Sequence, residues 1–130
     1  MAWGNFLLDK GYLASGALTK YRCVKYGATP ETVSPVAAIT DDIAGVVQFG
    51  ITAAELLDGK DASVRMMGVT EVECAGAIPL GSWCQLEADG RVSARVGASG
   101  KKLVGKCVGE AAVNAGDRCA MLIVHTFSVA

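Results

Sequence analysis

Two stretches of the sequence, GSWCQLE at residues 81–87 and GDRCAMLI at residues 116–123, share one pattern. Each begins with a glycine, has a cysteine at its fourth position and continues with mostly apolar residues. A small-residue turn followed by about four to eight such residues is typical of a short β-strand. Similar segments occur along the rest of the chain: YRCVKY, IAGVVQFGI, ASVRMMGVTEVE, RVSARV and KLVGKCVG. The sequence therefore predicts a protein built from short strands.

The pattern is repeated, because a shift of about 60 residues aligns the two halves of the chain. Three pairs of segments align: 15–24 with 75–84, 41–50 with 101–110 and, after a deletion of about three residues, 59–68 with 116–125. Inside each half the same turn and strand also recur, and Cys84 and Cys119 follow the same kind of turn. We predict a single β domain at 13–130 that consists of two similar halves, about 14–73 and 74–130.

Two local signals complete the predicted fold. Thr52 and Glu55 form a capping box that begins a short helix in TAAELLDG. Asp89 and Gly90 suit a hairpin turn, because both residue types accept the positive φ that such turns need. The predicted fold is all-β, a small barrel or sandwich of about eight short strands with one short helix and an extended N-terminal arm.

Composition limits the classes of partner. Hydrophobic residues make up 52% of the chain, and the mean hydropathy of +0.37 is high for a soluble monomer. The excess apolar surface favours a subunit interface. With 12 basic and 13 acidic residues mixed along the chain, the sequence has no basic patch for nucleic acid. It also has no uncharged apolar run of about 18 residues, so we expect no membrane span.

The N-terminal arm at residues 1–12 carries a large share of the aromatic and apolar side chains. Trp3, Phe6, Leu7 and Leu8 all lie within its first ten residues and have no counterpart in the second half of the repeat. Terminal segments usually fray unless something holds them. The arm therefore either packs on its own barrel or anchors the protein to another chain.

Catalytic and metal-binding interpretations of the cysteines are weaker than a structural one. The five cysteines are spaced more widely than the Cys-x₂₋₄-Cys of zinc sites, although Cys84, Cys107, Cys119 and His125 could meet on adjacent strands. An odd number of cysteines also disfavours disulfides. Because they recur in apolar strands, we predict that they are buried structural residues. An enzyme would require His125, the one histidine, to meet a cysteine in a pocket.

Two polar segments also have simple interpretations. GASGKK at residues 97–102 lacks the glycine spacing and the Ser or Thr after the lysine that a phosphate-binding loop needs. We therefore predict an exposed turn there. Asp41 and Asp42 are predicted to lie in a solvated turn rather than to bind a metal, and the sequence implies no cofactor.

The chain resembles the small capsid decoration (cement) proteins of tailed bacteriophages. The resemblance covers residues 13–124 and is carried by four segments: SGALTKYRCVKYG, ITDDIAGVVQFGITAAELLDGKDASVRMMG, AGAIPLGSWCQLEADGRV and KLVGKCVGEAAVNAGDRCAMLIV. The chain departs from the family pattern in its number of cysteines and in Lys106, where valine is usual after Gly105. Neither departure affects a catalytic residue, because the family is not catalytic.

This resemblance implies a virion structural protein rather than an enzyme. It implies a homotrimer on the outer surface of the expanded icosahedral head, assembled in the host cytoplasm, that bridges neighbouring major capsid protein subunits. The arm then supplies the expected capsid contacts: Trp3, Asn5, Phe6, Leu7 and Leu8. Two alternatives remain open, another phage structural protein of the tail tube or head–tail connection, and a small β-rich ligand-binding module.

Overall fold

A computed structural model describes residues 5–97 and 99–125, with side chains from Leu7 onward. These residues form nine strands and one helix: β1 (Asn5–Ala14), β2 (Cys23–Tyr26), β3 (Thr32–Pro35), β4 (Ile43–Val47), α1 (Ala53–Leu57), β5 (Asp61–Glu73), β6 (Trp83–Leu86), β7 (Val92–Ala94), β8 (Leu103–Cys107) and β9 (Arg118–Ile123). The predicted all-β class with one short helix is confirmed. The sequence analysis did not identify β1, which begins in the predicted arm, or β3.

The first five strands form a closed barrel. β1 pairs in parallel with β3, which pairs with β2, and β2 pairs with β4. β4 then pairs with β5, and β5 pairs with β1 along almost the whole length of β1. The circuit of strands therefore returns to its start, and the backbone of residues 5–12 belongs to the sheet.

β5 is shared between the two halves. Its N-terminal part pairs with β1 and β4, whereas residues 69–73 pair with β9. From β9 the sheet continues through β8 and β6 to β7. A single parallel bridge between Cys74 and Val92 brings β7 back to the end of β5. The second half is thus a second circuit of five strands that begins at β5.

The strand registers of the two halves are equivalent. Val24 pairs with Gly45 in the first half, and Cys84 pairs with Gly105 in the second. The residue numbers of the two pairs differ by 60 on each strand, 24 against 84 and 45 against 105. In both pairs of strands a register irregularity follows directly after this pair. The two similar halves predicted from the sequence are therefore present in the fold.

One turn occurs four times and explains the glycine pattern. Tyr21, Gly59, Gly81 and Gly116 have positive φ angles of 62°, 72°, 87° and 90°. Each lies two residues before a strand, β2, β5, β6 and β9 in turn. Glycine adopts this left-handed conformation without steric cost. The resemblance between GSWCQLE and GDRCAMLI is therefore a repeated turn that leads into a strand, as predicted.

Residues 21–23, which we call the wedge, connect the halves. The amide of Glu73 at the end of β5 donates a hydrogen bond to the carbonyl of Tyr21, at 2.8 Å. The amide of Cys23 donates to the carbonyl of Gly90 in the β6–β7 turn, also at 2.8 Å. The wedge therefore lies between β5 and the β6–β7 turn and is hydrogen-bonded to both.

The buried side chains form two clusters. The cluster of the first barrel includes Tyr12, Val33 and Val64. The cluster of the second half includes Cys84, Leu86 and other residues of β5 to β9, together with three residues of the first half, Cys23, Val36 and Val46. One face of the first half thus packs into the core of the second, so the two halves share buried surface.

The predicted local signals are confirmed. The Thr52 side chain accepts a hydrogen bond from the amide of Glu55, and the Glu55 side chain accepts one from the amide of Thr52, both at 3.2 Å. Leu86 pairs with Val92 across the β6–β7 hairpin, whose turn contains Gly90 with a φ of 87°.

Candidate functional site

The described part of the arm is held by β5. Asn5 pairs with Val69 and Phe6 pairs with Gly68 through the backbone, and the structure describes no side chain for either arm residue. Leu7 and Leu8 follow with 75% and 43% of their surface exposed. Trp3 lies outside the described residues. The fold therefore places Leu7 and Leu8 on the protein surface while fixing their backbone in a sheet.

A register irregularity in β1 surrounds these two leucines. The pairing changes step between Phe6 and Leu8 and again between Leu8 and Asp9. Such bulges redirect side chains and commonly occur next to functional sites. Leu8 pairs with Met67 of β5, which is also exposed. This pair forms a small apolar surface outside the barrel.

A row of directly paired residues extends from this surface across the second half. Val69 of β5 pairs with Leu122 of β9, Leu122 pairs with Lys106 of β8, and Lys106 pairs with Trp83 of β6. Residues directly opposite each other in antiparallel strands present their side chains on the same face. We call this surface the outer row: Leu7, Leu8, Met67, Val69, Leu122, Lys106 and Trp83. From β1 to β6 it crosses four strand spacings, about 19 Å.

The sequence analysis found only the two leucines of the outer row. Apolar Ala62 and Val64 alternate with polar residues in the sequence and are buried, whereas Met67 is exposed. Continuing this alternation along β5 could have indicated an outward-facing Met67. Trp83 and Leu122 belong to strands that were predicted. Their position beside β1 depends on pairings between residues far apart in the chain, which no local pattern contains.

All five cysteines are buried free thiols, so the predicted burial is confirmed. Burial raises the pKa of Cys23 to about 12. The hydrogen bond with Cys119, together with burial, raises the pKa of Cys74. Nucleophilic attack and metal binding need the thiolate form. These two thiols are therefore protonated near neutral pH and contribute as small apolar side chains.

His125 and Cys23 do line one cavity, between β4 and β9. The cavity has a volume of about 10 Å³, which is about the space of one water molecule and too small for a substrate. The Nε2 atom of His125 lies 2.7 Å from the carbonyl oxygen of Met66 on β5. This contact occurs where β5 changes its partner from β4 to β9, so the histidine binds backbone at the junction of the halves.

A larger cleft of about 300 Å³ lies beside this junction. It contains Lys102, which is only 8% exposed and whose Nζ donates to Oδ1 of Asp42 at 2.5 Å. The prediction that residues 97–102 form an exposed turn is wrong for Lys102. Its amide donates to the carbonyl of Ile39 at 3.0 Å, because the start of β8 packs against the first half.

The zinc cluster considered from the sequence does not come together. Cys84, Cys107 and Cys119 lie in the core of the second half, whereas His125 is exposed. Within residues 5–97 and 99–125, no group of three or more His, Cys, Asp or Glu residues is arranged to hold a metal ion. In the same part of the chain, no helix is long and apolar enough to cross a membrane.

Comparisons with known proteins agree with the fold. The phage cement protein family matches residues 12–123 of the chain. Among solved structures, the head fiber gp8.5 N base of bacteriophage phi29 has a similar fold, with a TM-score of 0.67 and 18% sequence identity over 92% of this chain and 96% of that chain. A search among curated proteins finds no match.

The family match begins at Tyr12, near the end of β1, and continues to the end of β9. It therefore includes both halves, the wedge and the outer row apart from Leu7 and Leu8, and it indicates a structural role. The chain belongs to the phage cement protein family and is a capsid-associated structural protein of a bacteriophage.

Proposed function

We propose that the protein cements the expanded icosahedral phage head by binding to its outer surface and bridging neighbouring major capsid protein subunits. The observation that carries this proposal is the outer row, an exposed apolar surface on a member of the cement family. Large exposed apolar side chains that lie together on a folded protein are typical of interaction sites. We propose the major capsid protein as the partner.

The capsid contacts that we propose on β1 are Trp3, Asn5, Phe6, Leu7 and Leu8. Because β5 holds the backbone of residues 5–13, the exposed side chains of Leu7 and Leu8 lie on a rigid element before binding. A preorganised contact loses less conformational entropy on binding than a loose segment does. The pairing with β5 is therefore compatible with a role of the arm as an anchor.

We further propose that the protein acts as a homotrimer on the capsid. The support is the hydrophobic fraction of 52% in a chain of only 130 residues. A stable subunit contact buries on the order of 800 Å² per partner. Light scattering of the free protein and its arrangement on the shell measure this directly, and a monomer in both settings would contradict the proposal.

The experiment that tests cementing is cosedimentation of the protein with expanded and with immature capsids. We expect binding to the expanded form only, together with higher resistance of those capsids to heat. Equal binding to both forms, or binding to neither, contradicts the proposal. A ring-shaped assembly of the free protein without capsid binding would instead support a tail-tube component.

Variants of the arm extend this experiment. Truncating an interface anchor such as Trp3 costs about 2 kcal/mol or more, about thirtyfold in affinity at one site, and more where three linked arms bind together. We expect Trp3→Ala and Leu8→Ala to lose capsid binding while their thermal unfolding stays near that of the native protein. Leu57→Ala in α1, where the leucine is 89% exposed and off the outer row, is the matched control and should bind normally.

A further inference from the structure

The far end of the outer row differs from the end formed by β1. Trp83 is 40% exposed, and the Nζ of Lys106 lies 5.6 Å from the centre of its ring. Arg95 is adjacent, since its amide donates to the carbonyl of Trp83 at 2.9 Å. An exposed tryptophan thus lies between two basic residues.

The equivalent positions in the first half are buried. With the shift of 60 residues, Trp83 corresponds to Cys23 and Lys106 to Val46, and these two pair with each other as Trp83 and Lys106 do. Cys23 and Val46 both pack into the core of the second half. The same face of the repeat is therefore covered within the chain in the first half and uncovered in the second.

The two basic residues have no carboxylate partner within the described part of the chain. Eight of the twelve Lys and Arg residues form ion pairs with Asp or Glu there: Lys10, Arg22, Lys25, Lys60, Arg65, Arg91, Lys101 and Lys102. Arg95 and Lys106 are not among them. A lysine over an exposed aromatic ring, with a second basic residue opposite on the neighbouring chain segment, matches a surface that offers an apolar group and a carboxylate.

We propose that Trp83, with Lys106 and Arg95 beside it, is a second anchor of the capsid contact and binds a segment of the capsid subunit that presents an apolar residue next to an Asp or Glu. The inference rests on the proposed function. Continuity favours the capsid over a second copy of this chain, because an unbroken series of paired residues joins Trp83 to Val69 and on to the proposed contact Asn5, and Met67, the partner of Leu8, lies two residues before Val69 on β5. Tryptophan and arginine are also enriched at interface hot spots.

The test is cosedimentation of three variants with expanded capsids, beside thermal unfolding. Trp83→Ala should weaken binding about thirtyfold, and Lys106→Glu about tenfold or more, because it places like charges opposite each other. Lys106→Arg keeps the charge and should bind almost as well as the native protein. Lys20→Glu is the matched control, since Lys20 also lies over an aromatic ring, that of Tyr21 at 4.7 Å, but off the outer row.

The outcomes separate this inference from the proposed function. If the native protein binds expanded capsids and Trp83→Ala and Lys106→Glu bind equally well, the second anchor is wrong and the cement role stands. If these variants lose self-association in light scattering but keep capsid binding, the surface is a contact between copies and the inference is overturned. If the native protein does not bind capsids, the proposed function fails and the inference with it.

Discussion

The two halves of the molecule have equivalent strands, but their closing hydrogen bonds differ at one place. In the first half, the amide of Leu13 on β1 donates to the carbonyl of Glu31 before β3, at 2.9 Å. β3 and β7 are offset by 59 residues, because Ser34 pairs with Lys25 and Ser93 pairs with Gln85. The residues equivalent to Leu13 and Glu31 are therefore Glu73 and Gly90, and they are not bonded to each other. Glu73 donates to Tyr21 instead, and Gly90 accepts from Cys23. The wedge is inserted at the place of this closing hydrogen bond, whereas the next one, from the amide of Ser15 to the carbonyl of Val33 at 2.9 Å, has its equivalent between Ala75 and Val92 at 2.8 Å.

This difference shows how a repeated unit becomes one cooperative domain. In the first half the amide of Leu13 and the carbonyl of Glu31 satisfy each other, whereas in the second half the amide of Glu73 and the carbonyl of Gly90 are satisfied by residues 21–23. Buried backbone groups without a partner are costly, so the wedge stabilises the second half substantially. The first half also contributes Cys23 and Val46 to the second core. We therefore expect the second half to depend on the first.

Deleting residues 1–10 should destabilise the protein more than any other change proposed for testing the two halves. The deletion removes the part of β1 that pairs with Val64, Arg65, Met67, Gly68 and Val69 of β5, and leaves only residues 11–14 to close the barrel. We expect loss of most of the stability, which is about 5–15 kcal/mol for a domain of this kind. Circular dichroism and thermal unfolding measure it. A truncated protein with native stability would show that the first half does not need closure by β1.

Gly90→Ala should cause the next largest loss of stability. Gly90 has a φ of 87°, and a Cβ there would lie 2.8 Å from the carbonyl oxygen of Cys23. Because both backbone strain and a clash with the wedge result, we expect destabilisation of about 3 kcal/mol. The matched variant is Glu31→Gly at the equivalent position, where Glu31 already has a φ of 63°, and it should change stability by less than about 1 kcal/mol. Equal effects in denaturant titrations would contradict the asymmetry.

Arg22→Ala tests the side chain of the wedge. Its guanidinium donates to both carboxylate oxygens of Glu73, from Nε at 3.1 Å and from Nη2 at 3.3 Å. Both side chains are partly exposed, so we expect a loss of about 1 kcal/mol. Ser82 is the equivalent residue of the second half, and Ser82→Ala should cost less than about 0.5 kcal/mol. If the two variants unfold at the same denaturant concentration, the ion pair does not hold the wedge.

Chemical labelling of the native thiols tests whether the two halves open together, and it needs no substitution. Cys23 lies in the wedge, and the other four cysteines are buried in the second half. If the halves open together, all five thiols should react with a thiol reagent at one rate, which is set by unfolding. Mass spectrometry of the labelled protein measures this. Labelling faster than the global unfolding followed by circular dichroism would mean that the core of the second half, which includes Cys23, opens independently.

Local patterns in the sequence predict much of this fold. The positive-φ turns, the capping box of α1 and the repeat depend on residues near each other or on a constant shift, so they can be read directly. β1 is harder, because NFLLDKGYLA does not alternate and includes Gly11. β3 has only four residues and ends in Pro35, which is atypical of a central strand.

The candidate site is less predictable because it depends on register between distant strands. Leu7 and Leu8 could be identified as unusual apolar residues, but nothing near Trp83 in the sequence places it on the same face. Lys102 is similar, since its burial follows from the packing of β8 against Ile39 and Asp42 of the other half. In each case tertiary pairing decides exposure, and a single sequence does not contain that pairing.

The most direct test of the cement role is a cryo-electron microscopy reconstruction of expanded capsids saturated with the protein. The account predicts density for the protein on the outer surface of the shell, with Leu8, Met67 and Leu122 of the outer row facing major capsid protein and each copy touching more than one capsid subunit. A reconstruction in which the outer row faces solvent, or in which each copy contacts a single capsid subunit, would contradict it.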